Sequence, residues 1–207
     1  MSVGVPSNFF VKRNSVVSAY IVPWIMGIGV KTPEDAKDYV GYGDRLSGEY
    51  YPSNQKAIEK YGSEIVLRKH LKNLFQKSKI HHKLTNILGE TFYKPDDCMS
   101  GVFMVDLTEN MGLNAYPDGV SINHECVVMV DRFIKENPTV IQDQEIEIKM
   151  ISMMAAWRAK RGICYISATN KIIRFELNQQ TLEKWWTILT CLRKWAESAY
   201  NPVKSTQ

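Results

Sequence analysis

Residues 145–177, EIEIKMISMMAAWRAKRGICYISATNKIIRFEL, decide how the chain is read. Over 144–150 charged and apolar side chains alternate: Glu145, Glu147 and Lys149 against Ile146, Ile148 and Met150. A period of two places one set on each face of a strand. A strand is therefore predicted over 145–157, followed by GICYISA (162–168) and KIIRFEL (171–177). Arg161-Gly162 and Thr169-Asn170 supply the turns between them. Upstream, GVFMVDL (101–107) and VSINHECVVMVDRFI (120–134) have the same texture. Pro117-Asp118-Gly119 and Asn137-Pro138 separate these runs.

Helices flank the strands. After Gly62, Ser63 is an N-cap, and Leu67, Leu71, Leu74 and Phe75 share one helical face. A second helix over 80–92 carries Ile80, Leu84, Ile87 and Leu88, with Gly89 ending its regular part. A long helix over 179–199 follows Asn178 as N-cap. Leu182, Trp185, Leu189, Leu192 and Ala196 form its apolar centre. Trp186 and Trp195 fall on opposite edges of that face, so one of them is expected at a contact surface. This order predicts an α+β fold: a mostly antiparallel sheet packed with two or three helices, closed by the long Trp-rich C-terminal helix. Residues 1–62, rich in Gly, Tyr, Pro and Ser, read as an arm or loosely packed subregion. Residues 63–207 read as a single α+β domain. The apolar stretch SVVSAYIVPWIMGIGV (15–30) is shorter than the ~20 residues of a spanning helix, and it reads as buried strands turning near Pro23.

The 207 residues carry a formal net charge of +4, unevenly laid out. Residues 1–62 carry +1, 63–94 carry +5, 95–150 carry −8 and 151–207 carry +6. Between Arg68 and Lys83 lie six Lys or Arg and three His with no acid. A solvated helix would use Glu partners four residues away, and within the run none is present. Arg68, Lys69, Lys72, Lys77, Lys79 and Lys83 are therefore expected to bind a polyanion, either RNA or an anionic lipid surface. Asp143, Glu145 and Glu147 read as an acidic, partner-facing edge. With Trp186 or Trp195 as anchor, such an edge predicts head-to-tail self-association into a homo-oligomer.

The chain shows no phosphate-binding glycine loop, no nucleophile elbow and no complete zinc motif, since His124-Glu125-Cys126 lacks its partner cysteines. No catalytic residue, metal, cofactor or small-molecule substrate is expected. Cys98, Cys126, Cys164 and Cys191 show no CxxC spacing, which points to free, mostly buried thiols in a reducing compartment. The expected location is intracellular, in cytoplasm, virion or nucleus, and not secreted.

The helix EIVLRKHLKNLF (64–75), the short basic helix IHHKLTNIL (80–88) and the late strand GICYIS (162–167) together resemble rhabdovirus matrix proteins over about residues 63–170. The resemblance implies a non-enzymatic, self-associating viral matrix protein, a virion layer that links an anionic membrane surface to a ribonucleoprotein or nucleocapsid in the host cytoplasm. The proline-rich budding motif of that family is absent, and Tyr51-Pro52 is a distant stand-in for a late motif. An alternative resemblance, strands capped by a terminal Trp helix, implies a PH-like adaptor that binds lipid or peptide.

Overall fold

The computed structural model describes residues 15–42, 79–95, 104–109 and 111–200. In chain order these form β1 (Ser15–Ser18), a single 3-10 turn (Ala19–Ile21), α1 (Val22–Ile25), α2 (Pro33–Lys37), β2 (Gly41–Tyr42), α3 (Lys79–Leu88) and β3 (Phe92–Tyr93). Then follow β4 (Met104–Asp106), β5 (Met111–Asn114), β6 (Gly119–Ser121), β7 (Cys126–Asp131), α4 (Val140–Trp157), β8 (Arg161–Ile166), β9 (Lys171–Glu176) and α5 (Gln179–Tyr200). The class is α+β. There are two sheets among the described residues, ordered β2-β1-β5-β4 and β3-β6-β7-β8-β9. Most pairings are antiparallel, but β1 runs parallel to β5 and β7 parallel to β8.

The central difference from expectation is α4. Residues 145–157 are helix, not strand. Thr139 starts it with a capping box: its side chain accepts from Gln142 N–H, and the Gln142 side chain accepts from Thr139 N–H. The alternation over 144–150 arises because α4 is covered on more than one side. Ile146, Ile148 and Met150 are all buried, while Glu145 pairs with Lys149 and Glu147 with Lys184 of α5. Beyond Met150 nearly every residue is buried, the pattern of a helix enclosed all round. Arg158 ends it in the left-handed region, at φ 55°.

Around α4 the main core gathers Val17, Leu113, Met129, Cys164 and Ile166 from both sheets, and Leu189 and Leu192 from α5. The opposite face of the five-stranded sheet has its own cluster, where Leu84 and Leu88 of α3 lie with Phe92, Val128, Val130, Ile163 and Tyr165. β7 is thus covered on both faces, which accounts for its unbroken apolar run.

The structure differs from expectation elsewhere as well. Where the N-terminal stretch is described, β1 lies between β2 and β5, and Val17, Ala19, Ile21 and Val22 are core. Residues 15–30 form one short strand, the 3-10 turn and α1, with Pro23 in the first turn of α1, where its missing N–H leaves no bond unmade. The run 120–134 is broken at His124, which takes φ 60° in the tight turn between β6 and β7. The second helix ends at Leu88, followed by Gly89 at φ 68°. The predicted helix over 64–75 lies outside the described residues. α5 packs on α4 and α1, not on the sheet as a barrel cap, so the PH-like layout is not formed.

Candidate functional site at the strand ends

β7 and β8 are neighbours, parallel, and joined by α4, so their carboxyl ends open on the same side. Asp131 is the last residue of β7. Its Oδ1 accepts from Phe133 N–H and Ile134 N–H, both at 2.8 Å, and this turns the chain away from the strand. Its carbonyl accepts from Ser167 N–H and O–H, which ties the ends of β7 and β8 together. Asp118 stands just before β6. Its Oδ2 accepts from Val130 N–H at 2.8 Å and its Oδ1 from Arg132 Nη2 at 3.1 Å.

Tyr20 and Cys164 lie within electrostatic reach of these carboxylates. The Tyr20 hydroxyl donates to the Tyr116 carbonyl at 3.3 Å. Burial, and then the negative charge of Asp118, push its phenol well above the usual range, against the opposing pull of Arg132. The Cys164 thiol is pushed up to about 12 by burial first and by Asp131 second. Both groups therefore keep their protons at neutral pH, and Cys164 is no nucleophile there. Nearby, Asn114 Nδ2 donates to the Tyr116 hydroxyl, while the buried Asn114 Oδ1 has no hydrogen-bond partner among the described residues. Among the described residues no three His, Cys, Asp or Glu side chains are grouped to hold a metal ion.

The residues singled out in the sequence are dispersed. Lys79 and Lys83 fall on α3. Arg68, Lys69, Lys72, Lys77, Tyr51 and Pro52 lie outside the described residues. Glu145 and Glu147 form no strand edge: each is engaged by a lysine on or against α4, at 3.3 and 2.5 Å. Trp195 is buried, its indole N–H donating to the Pro33 carbonyl, whereas Trp186 is 61% exposed. Leu182, expected at the centre of the apolar face, is exposed as well. Asp118, Arg132 and Tyr20 carry no site signal in the sequence. Asp118 reads there only as a turn residue, and its partners lie up to 14 positions away.

No protein-family model and no curated protein matches the chain. Solved structures do. LHK-Exo in complex with dAMP aligns with a TM-score of 0.46 and 15% identity, over 88% of this chain and 89% of that one. The alkaline exonuclease LHK-Exo from Laribacter hongkongensis gives 0.42 and 12%, over 89% of each chain. A phage-related exonuclease from Haemophilus somnus 129PT gives 0.42 and 9%, over 88% of this chain and 93% of that one. These neighbours are exonucleases.

The expected likeness to rhabdovirus matrix proteins is corrected accordingly, since none of these matches is a matrix protein. With it fall the non-enzymatic matrix function, the membrane-surface partner, the exclusion of a small-molecule substrate and the PH-like alternative. The stretches behind the resemblance are local textures, and similar helices and strands occur in many folds. At these identities and TM-scores no catalytic residue and no substrate is carried over from the neighbours to this chain. Among the described residues no helix is long and apolar enough to cross a membrane.

Proposed function

We propose that this chain is a nucleic-acid-binding protein. One observation carries the reading: the run from Arg68 to Lys83, with six Lys or Arg, three His and no acid. Such a run neutralises phosphates and releases their counterions. It enters the described fold at Lys79, in the first turn of α3. That helix is held firmly, because Leu84 and Leu88 lie on the outer face of the five-stranded sheet. Just after it, the Glu90 carboxylate accepts from both terminal nitrogens of Arg161 on β8. The basic run is therefore anchored at one end to the sheet.

Fluorescence anisotropy with a labelled DNA oligonucleotide tests the reading. Binding should be strong at low salt and fall steeply as salt rises. Charge reversal at Lys69, Lys72 and Lys79 should weaken it with little change in melting temperature. Binding that ignores both salt and charge reversal would overturn the reading, as would binding to anionic vesicles with none to DNA. The same mixture with a divalent cation, followed on a gel, shows whether the bound strand is also cleaved.

A further inference from the structure

The outward face of α5 holds a large, mostly exposed aromatic ring. Trp186 is 61% exposed, while Trp185 beside it packs against the core and Trp195 is buried. Exposed indoles are frequent anchors of contact surfaces. A shallow depression of about 510 Å³ adjoins it, lined also by Thr187, Thr190, Cys191 and Lys194. The two threonine hydroxyls donate to backbone carbonyls one turn back, which leaves the floor of the depression without free hydroxyl donors. Arg193 and Lys194 follow Trp186 by seven and eight residues. That is two turns, or about 11 Å along the helix. Both are exposed, and neither forms an ion pair among the described residues.

We propose that Trp186 is a stacking platform for an unpaired nucleobase, with Arg193 and Lys194 receiving the phosphates of the same strand. The proposal rests on the nucleic-acid reading above. An exposed ring followed by two exposed cations matches an alternation of base and phosphate. Each base has a flat π-face, so stacking of this kind is tolerant of sequence. Because base faces are hidden in a duplex, the site selects single strands.

The test uses the full chain and three probes: a labelled oligothymidylate, the same strand with abasic sugars, and a duplex. Trp186→Ala should weaken oligothymidylate binding about 5- to 150-fold, and Trp186→Phe should recover most of that loss. On the abasic strand and the duplex the wild type and Trp186→Ala should bind alike. Arg193→Gln with Lys194→Gln should lower the salt slope on single strands by about 0.7 for each phosphate no longer neutralised. Trp186 is not in the core, so the variants should melt as the wild type does. If the wild type binds no DNA, the nucleic-acid reading itself fails. If the wild type binds and Trp186→Ala binds equally well, the platform alone is overturned. A deficit that persists on the abasic strand also overturns it. So does a concentration-dependent dimer that Trp186→Ala abolishes, which would assign the ring to a second copy of the chain.

Discussion

Cys164 lies within electrostatic reach of Asp131 and Asp118, and its proton is a residue-level probe of that cluster. Its pKa rises from 9.0 to about 12 through burial and the charge of Asp131. Between these values the unfolded chain loses the proton and the folded protein keeps it. The stability this gives is complete below pH 9 and is lost as pH rises toward 12. Between pH 9 and 10.5 the expected loss is about 2 kcal/mol from this thiol. Urea unfolding of the wild type and Cys164→Ala at both pH values checks it: the variant should lose less on going to the higher pH. Equal losses would show that Cys164 titrates normally in the folded protein. Trp157 offers a second probe. It is fully buried and donates its indole N–H to the Ala115 carbonyl at 3.1 Å. Trp157→Ala should cost about 3–5 kcal/mol, read from urea unfolding at neutral pH.

At the scale of elements, α4 decides the architecture, and its first turn is held by the Thr139 cap. Thr139→Ala should destabilise by about 1 kcal/mol, and Thr139→Ser should restore most of that, as read from thermal melting. Where α4 crosses β8, Gly162 makes room for it. A Cβ on Gly162 would stand 2.5 Å from Met150 Sδ and 2.8 Å from Met154 Sδ. Thioether ends can swing aside, so Gly162→Ala should cost on the order of 1 kcal/mol. Gly162→Val, branched at the same carbon, should cost clearly more. No difference between the two would mean that helix and strand are further apart than these distances say.

For the molecule as a whole, the ends of the described chain are structural. β1 pairs on both edges, with β2 and β5, and α5 covers α4 and α1 with Ile188, Leu189, Leu192 and Trp195. Removing residues 1–18 would leave the four-stranded sheet without its second strand and open part of the main core. Truncation after Asn178 would bare the apolar side of α4. Neither truncated protein should show a cooperative melt or a native near-UV circular dichroism spectrum. A cooperative melt after the N-terminal deletion would show that the deleted segment is a dispensable arm.

What the sequence determined by itself was local. Gly89 stops α3, the Asn178 side chain accepts from Thr181 N–H at 2.9 Å to start α5, and the turn between β8 and β9 lies at Asn170, whereas the predicted turn at Arg161-Gly162 is strand and the chain turns before it, at Arg158. Caps and turn residues act within a few positions, so they can be read without the fold. The α+β class followed from such signals, and the basic run from Arg68 to Lys83 is plain in the composition. Only the tertiary structure decided between helix and strand for 145–157, because an all-round covering of α4 erases the one-sided period that marks a surface helix. It also decided that β1 is an inner strand, which depends on pairing with β5 some 96 residues away. The cluster of Asp118, Asp131, Tyr20 and Cys164 was hidden for the same reason: its members come from four separate stretches, and only the packing of both sheets on α4 brings them together.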